Sequence, residues 1–343
     1  MVTDAADNQA RTETVLNSGL LGPFFGWAPH VGSCRSLPMD SPRSPKPSTG
    51  HRPDNYGQGV AAIDDAEQSL VDGRFLQHRL KETFASPDYK PPALPAVALE
   101  LLALSRKPEV SFAAVRKLME RDPILAGRVL VVAQSAAFAS AGVVRSLEDA
   151  LLRLGLRTLG DIVIEAALST RVFRAEGYTD AMRALSRHST VVAHLARHIA
   201  RRTAIYDEHA FLCGLLHDVG AAAGMIVLGE RPRGEPLLEL DLVWPAILAE
   251  HESVSASLCR AWTLPAEVGL VVGNHHGCQI GGHVHPVAAV VHLADWVSAQ
   301  LGESVETPGE LPLAPALRAL GVAPEALRGL VDEGRGIVAK VPR

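Results

Sequence analysis

Seven residues between positions 188 and 295 carry side chains that bind cations: His188, His217, Asp218, His251, His275, His276 and Asp295. Neutral imidazole and carboxylate are the ligand set that suits Fe, Mn, Ni or Zn. Helical spacing aims these side chains inward. His188 shares a face with Val192, Leu195 and Ile199 at +4, +7 and +11. His251 is the polar exception on a stripe of Trp244, Ile247, Val254, Leu258 and Trp262, and Asp295 follows Ala288 and Val291 at +7 and +4. In "PAEVGLVVGNHHG" His275 lies under Val268, Val271 and Val272, with His276 beside it and Gly277 as the stop. The stretch "GLLHDVG" sets His217 next to Asp218. With one helix running from about Glu208, Phe211, Leu215, Asp218 and Ala222 fall on one apolar face. A buried, unpaired carboxylate costs roughly several kcal/mol, so Asp218 needs a cation, a hydrogen-bond cage or a metal. Each residue alone reads as a satisfied core polar group. Five helices that each aim a His or Asp inward point instead to a shared metal centre. Seven ligands exceed one tetrahedral ion, so the expectation is one or two divalent ions, bridged by Asp218 when there are two. His194 and His198, on a flank with Arg197 and Arg201, read as a solvated face, and His292 reads as lying outside the site.

These ligands need helices to carry them, and from Pro91 to about Leu301 the punctuation is helical. Pro123 follows Asp122 as an N1 proline behind its cap, Ser146 and Asp149 form a capping-box pattern, and Pro265 and Pro286 each open an apolar-periodic run. No alternating strand stands out. Val129 to Val132 and Ile162 to Ile164 read as buried helix within longer helical patterns. The tail after 303 reads as two further helices, separated near Gly321, that pack on the domain. Upstream, residues 1–58 carry a Pro-, Ser- and Gly-dense stretch without apolar period and read as disordered. Residues 59–90 read as a linker helix interrupted near Gly73, with Ile63, Leu70, Phe75 and Leu80 on its inner face. The domain proper is expected over 91–302.

Composition sets the background. A chain of 343 residues with 47% hydrophobic content builds a large core. Lys+Arg 33 against Asp+Glu 38 gives a net charge of −5, which excludes a global electrostatic case for nucleic acid or anionic membrane. The short basic run "LARHIARRTA", with Arg197, Arg201 and Arg202, reads as a solvated helix end. Cys34, Cys213, Cys259 and Cys278 form no C-x-x-C pair, so they read as reduced thiols and not as a structural zinc knot. "VLNSGLLGPFFGWAP" is too short and broken for a membrane span, and the expectation is a cytoplasmic protein.

The order His188, His217-Asp218, Asp295 resembles the H...HD...D pattern of the HD superfamily of metal-dependent phosphohydrolases. The added His251 and His275-His276 resemble the two-metal site of the HD-GYP cyclic-di-GMP phosphodiesterases. Five ordered blocks, "LPAVALELLAL", "DPILAGRVLVVAQSAAF", "SLEDALLRLGLRTL", "AFLCGLLHDVG" and "LCRAWTLPAEVGLVVGNHH", are similar to the narrower HDOD domain over residues 91–302. That resemblance implies an all-α, multi-helix HD-superfamily bundle acting as a bacterial signal-transduction output or scaffold module. It implies a signalling protein as partner and no common enzymatic activity. Two departures from the catalytic relatives agree with it: Ala221 stands where a lysine follows the HD-x-G motif, and "GCQIGGHVHPV" replaces the GYP element. Gln134 stands where the family usually has Asn, which puts one local hydrogen bond in question. The alternative is a metal-dependent phosphohydrolase with a phosphorylated or cyclic-dinucleotide ligand, Asp218 bridging two ions that acidify the attacking water. The loss of positive charge at Ala221 weighs against it.

Overall fold

The computed structural model describes residues 73–341, apart from 106, 108, 136–143, 204, 206–208, 232–235 and 306–311. The expected disordered segment 1–58 and the first part of the 59–90 helix, with Ile63 and Leu70, lie outside the described residues. The remainder of that helix is α1, helical over 73–85. Leu76 and Leu80 are buried, but Phe75, expected beside Leu80, is 65% exposed. Five residues is about 140° beyond a full turn, so Phe75 and Leu80 cannot share a face.

The chain continues through α2 (Ala96–Leu104), α3 (Phe112–Met119), α4 (Pro123–Gln134), α5 (Leu147–Arg171), α6 (Thr179–Arg202), α7 (Ala210–Leu216), α8 (Val219–Gly229), α9 (Leu240–Ala261), α10 (Ala266–Val272), α11 (Pro286–Gln300), α12 (Ala314–Leu320) and α13 (Leu327–Val338), with a 3-10 turn at Pro324–Ala326. The caps anticipated from the sequence are in place. Asp122 accepts from the backbone N–H groups of Ile124 and Leu125, both at 3.1 Å, with Pro123 at the first helical position. The Ser146 hydroxyl accepts from Asp149 N at 3.0 Å, and the Asp149 carboxylate accepts from Ser146 N at 3.1 Å, which closes the capping box of α5. Gln134 keeps a local bond in place of the usual Asn: its amide donates to Val144 O at 3.0 Å. Gly321 ends α12 in the left-handed region.

Four sequence readings need correction. The helix expected to run from Glu208 through Ala222 is two helices, α7 and α8, with His217 and Asp218 in the break between them; Glu208 itself lies outside the described residues. Neighbours on an unbroken helix point about 100° apart, so the break is what lets both side chains face one place. A hairpin is present where no strand was expected: Gln279–Ile280 (β1) pairs antiparallel with His283–Val284 (β2) across Gly281 and Gly282, both at positive φ. Its arms are too short to show alternation, and only the Gly-Gly turn marks it. Val131 is 63% exposed within the run read as buried, because it sits two residues round the helix from fully buried Val129. The flank of His194 and Arg197 is not solvated.

That flank is a polar system packed between helices. Arg197 on α6 pairs with the buried Asp161 on α5, and its guanidinium stacks over the Phe211 ring of α7, 3.9 Å from the centroid. His194 meets the same ring edge-on at 5.2 Å, and burial first, then the Arg197 charge, pushes its pKa down to about 4. Burial lifts Asp161 to about 6 against the opposing pull of Arg197, Arg157 and Arg201. His198, further along α6, bonds Glu333 of α13 at 2.7 Å, and Arg202 reaches the same carboxylate at 2.8 Å. One stretch among the described residues, Ala210–Gly229, is long and apolar enough to cross a membrane, and 89% of its most apolar window is buried inside the bundle.

The raised Asp161 pKa gives a signed prediction. Its contribution to stability is fully present below the unfolded-state value of 3.8 and is lost as pH rises through about 6. Arg197→Met leaves the ionised carboxylate unpaired, so urea unfolding at pH 8 should show a loss of about 3 kcal/mol. At pH 5, where Asp161 is largely protonated, the loss should be clearly smaller. An equal loss at both pH values would show that packing on Phe211, and not the ion pair, holds α5 to α6.

Candidate metal centre

The break between α7 and α8 delivers His217 and Asp218 to a point where α6, α9, α11 and the turn after α10 also arrive. Asp218 sits at the middle. Its Oδ2 lies 3.3 Å from His217 Nε2 and 3.5 Å from His188 Nε2, while Oδ1 lies 3.4 Å from His251 Nε2 and 3.5 Å from His275 Nε2. Asp295 Oδ1 approaches His188 Nε2 at 3.4 Å, and His276 Nε2 approaches His251 Nε2 at 3.0 Å. All seven residues singled out in the sequence therefore meet in one place. They fall into two groups, His188, His217 and Asp218 on one side and His251, His275 and His276 on the other, each with ligand atoms close enough to hold an ion.

The hydrogen bonds decide what these imidazoles offer. His217 Nδ1 donates to Gly214 O at 2.9 Å, His251 Nδ1 to Leu248 O at 2.6 Å, His275 Nδ1 to Val272 O at 2.7 Å and His188 Nδ1 to Glu303 O at 2.8 Å. A carbonyl can only accept, so each Nδ1 carries a proton, and each ring, when neutral, presents a lone pair at Nε2. Those lone pairs face one another, His188 to His217 at 3.1 Å and His251 to His275 at 3.4 Å. Two lone pairs at such distances repel unless a proton or a metal ion lies between them. Five imidazoles and two carboxylates with this orientation fit one or two divalent transition ions, whose second-sphere bonds to carbonyls are those expected of ligating histidines. His188, His217, Asp218 and Asp295 would hold one ion, and Asp218, His251, His275 and His276 the other.

Electrostatics follow the same division. Burial works against a charge on His188, yet Asp218 and Asp295 outweigh it and lift this group to about 9. Burial likewise opposes ionisation of Asp218, but His217, His188 and His275 hold its carboxyl well below the usual range. On the other side, burial together with His275 and His251 pushes His276 down to about 2, so its ring stays neutral. The centre is an anionic oxygen surrounded by imidazoles competing to neutralise it.

Several residues that position the centre escaped the sequence reading. Ser255 on α9 donates to His217 O and accepts from Gly220 N, both at 2.8 Å, which ties the break to α9. Gly220 has no room for a side chain: a Cβ would lie 2.2 Å from His251 O and 2.7 Å from Ser255 N. Arg187 grips Glu303 through two bonds of 2.6 and 2.7 Å, and that residue's carbonyl fixes His188. His292, read as outside the site, is fully buried and donates through Nδ1 to His275 O at 3.1 Å. Helix α10 stops at Val272, so His275 and His276 sit in the following turn and not at its last residues. The only signals for these roles were small residues, Gly220 and Ser255, at the edges of ligand motifs.

The chain belongs to the HDOD domain family, whose model matches residues 92–278. Asp295 and α11 lie beyond that match. Among solved structures, a protein of Shewanella amazonensis SB2B provisionally named a metal-dependent phosphohydrolase superposes with a TM-score of 0.61 at 20% identity, covering 79% of this chain and all of that one (100%). An HDOD domain protein of unknown function from Geobacter sulfurreducens gives 0.59 at 22% identity over 78% of this chain and 99% of its own. A protein of Marinobacter aquaeolei VT8 provisionally named a signal transduction protein gives 0.57 at 20% identity over 80% of this chain and 64% of its own. These likenesses show the all-α fold. In sequence, an uncharacterised protein of Treponema pallidum (strain Nichols) is 26% identical over 196 residues, which is 54% of this chain and 37% of that protein's length.

Gly220 gives the test of how tightly the centre is built. Gly220→Ala drives a methyl into the backbone of α9, so it should cost about 1–3 kcal/mol or more in thermal or urea unfolding. It should also lower transition-metal content measured by elemental analysis, because His251 moves away from Asp218. Unchanged stability and metal content would mean that α8 and α9 can separate without disturbing the ligands.

Proposed function

We propose that this chain is a cytoplasmic bacterial signalling module of HDOD type, in which the histidine–aspartate centre holds one or two divalent transition ions and locks the bundle in the form a signalling protein partner binds. The observation that carries this reading is a complete set of candidate ligands that is for the most part buried. The side chains of His217 and His275 are 0% exposed and those of His188 and His251 3%, leaving only the edges of Asp218 (16%), Asp295 (13%) and the half-buried His276 open. Helix α8, which leaves the centre, reads VGAAAGMIVLG and offers no charged or hydrogen-bonding side chain to a phosphate. Ala221, where the catalytic relatives are expected to have lysine, is fully buried. Phosphoryl transfer needs charge placed on the transferring oxygens, and α8 supplies none.

The ions would supply positive charge that cross-links α6, α9, α11 and the two turns. The chain's own residues do the rest: Asp218 shares its two oxygens between the two histidine groups, the carbonyls hold the imidazoles in one tautomer, and Ser255 fixes the break. The name of the Marinobacter neighbour supports a signalling role. A second reading, a metal-dependent phosphohydrolase acting on phosphate esters or cyclic dinucleotides, is supported by the completeness of the two groups about Asp218 and by the name of the Shewanella neighbour. In that reading Asp218 would share its carboxylate between the ions that act on the substrate.

Elemental analysis and a hydrolysis assay separate the two. Full-length protein expressed with ample iron and manganese should carry one or two first-row ions per chain and should not cleave cyclic-di-GMP or bis(p-nitrophenyl) phosphate above the buffer rate. Asp218→Asn should lose most of the metal and about 2–4 kcal/mol of stability, the cost of breaking a buried charged network. Metal-dependent turnover that vanishes in Asp218→Asn would overturn the non-catalytic reading in favour of the hydrolase. An Asn variant as stable as the wild type, with no metal in either protein, would overturn both.

A further inference from the structure

A second polar site lies on the opposite side of α6. A groove of about 770 Å³ runs between α4, α5 and the first half of α6, in the size range of small-molecule sites. Arg128, Arg174, Arg183 and Arg187 line it against two carboxylates, Glu165 and Glu176, so it is locally basic in a chain whose net charge is −5. Arg187 is held by Glu303, and Arg183 makes only a surface pair with Asp180 at 2.7 Å, with side chains 74% and 93% exposed. Arg128 and Arg174 form no hydrogen bond or contact ion pair among the described residues. Ser169 and Thr190 add hydroxyls, while Phe173 and Met182 give an apolar wall. Relative to His188, positions 183, 186 and 190 lie about 140–160° round α6, so this groove and the histidine centre occupy different faces of the helix.

Glu165 is the feature that a merely solvated basic surface does not explain. It sits in the groove without a hydrogen-bond partner among the described residues, and burial lifts its carboxyl to about 7 in spite of Arg128 and Arg197. Ionising it costs the fold stability that a glutamine would not. Such a group has a use where a ligand brings a donor to it.

We infer that this groove binds a phosphate-bearing small molecule of mononucleotide size. The unpaired guanidinium groups of Arg128 and Arg174 take the phosphate in charge-assisted hydrogen bonds. The base lies across the narrow apolar floor left by the edges of Phe173 and Met182, 6% and 1% exposed, and Glu165 accepts from an N–H or O–H of the base or sugar. The groove shares with the metal reading only Arg187, which grips Glu303, and its test leaves that residue unchanged.

The experiment is isothermal titration of the full chain with the four ribonucleoside 5′-monophosphates, with inorganic phosphate and the four nucleosides as separate arms. At least one monophosphate should bind with one-to-one stoichiometry, about tenfold or more tighter than inorganic phosphate or its own nucleoside. Arg174→Glu should weaken it about tenfold or more, as should Arg128→Glu, both on exposed positions. No binding of any monophosphate at about 1 mM would overturn the proposal. So would inorganic phosphate binding equally well, or nucleotide affinity that survives both Arg174→Glu and Arg128→Glu.

Discussion

Four backbone carbonyls govern what the centre of this protein can be. Gly214, Leu248, Val272 and Glu303 each accept from a histidine Nδ1, and that choice turns four Nε2 lone pairs toward the carboxylate of Asp218. Three of these bonds are local, from a histidine to the carbonyl three residues earlier, and form wherever the chain turns helically at that point. The fourth is tertiary. His188 depends on Glu303, which lies 115 residues away and is fixed by the two-pronged grip of Arg187. The Ser298 hydroxyl also reaches both His188 Nδ1 and Glu303 O, each at 3.3 Å, so an ion pair on the flank of α6 and a serine of α11 together orient His188.

The helices are arranged to make this convergence possible and to keep water out of it. Asp218 stands in a break, because adjacent helical residues cannot aim at one point, and Ser255 satisfies the groups that the break leaves open. The close approach of α8 to α9 at Gly220 brings His251 within reach of Asp218. Helix α6 divides the molecule. One face presents His188 to the centre, and about half a turn away Arg197 pairs with Asp161 and stacks on Phe211. Both faces bury charge by pairing it, and both therefore specify which helices are neighbours.

Much of the centre was legible because helical periodicity and residue chemistry agree there. His188, His251 and Asp295 lie on apolar stripes, where a polar group needs a reason, and the seven residues proposed as ligands from the sequence come together in one place. Periodicity failed where the chain leaves the regular helix: it ran one helix through His217 and Asp218, and it extended α10 to His275. It also misjudged polar residues whose partners are remote in sequence. Arg197 and His194 look like a solvated flank until Phe211 and Asp161 are packed on them, and His292 looks idle until the His275 carbonyl arrives. Tertiary partners of this kind leave no local trace, since neither residue of the pair is anomalous in its own helix.

Anomalous diffraction from crystals grown with Mn²⁺ or Fe²⁺ tests the central claim most directly, namely that the facing Nε2 lone pairs are there to share cations. The account predicts anomalous density among His188, His217, Asp218 and Asp295, among Asp218, His251, His275 and His276, or in both places, with the two peaks about 3.5–4 Å apart and Asp218 between them when both are filled. Crystals that show the same seven side chains in the same positions with no anomalous density, and with ordered waters bridging the Nε2 atoms, would contradict it and leave the centre a hydrogen-bonded polar core.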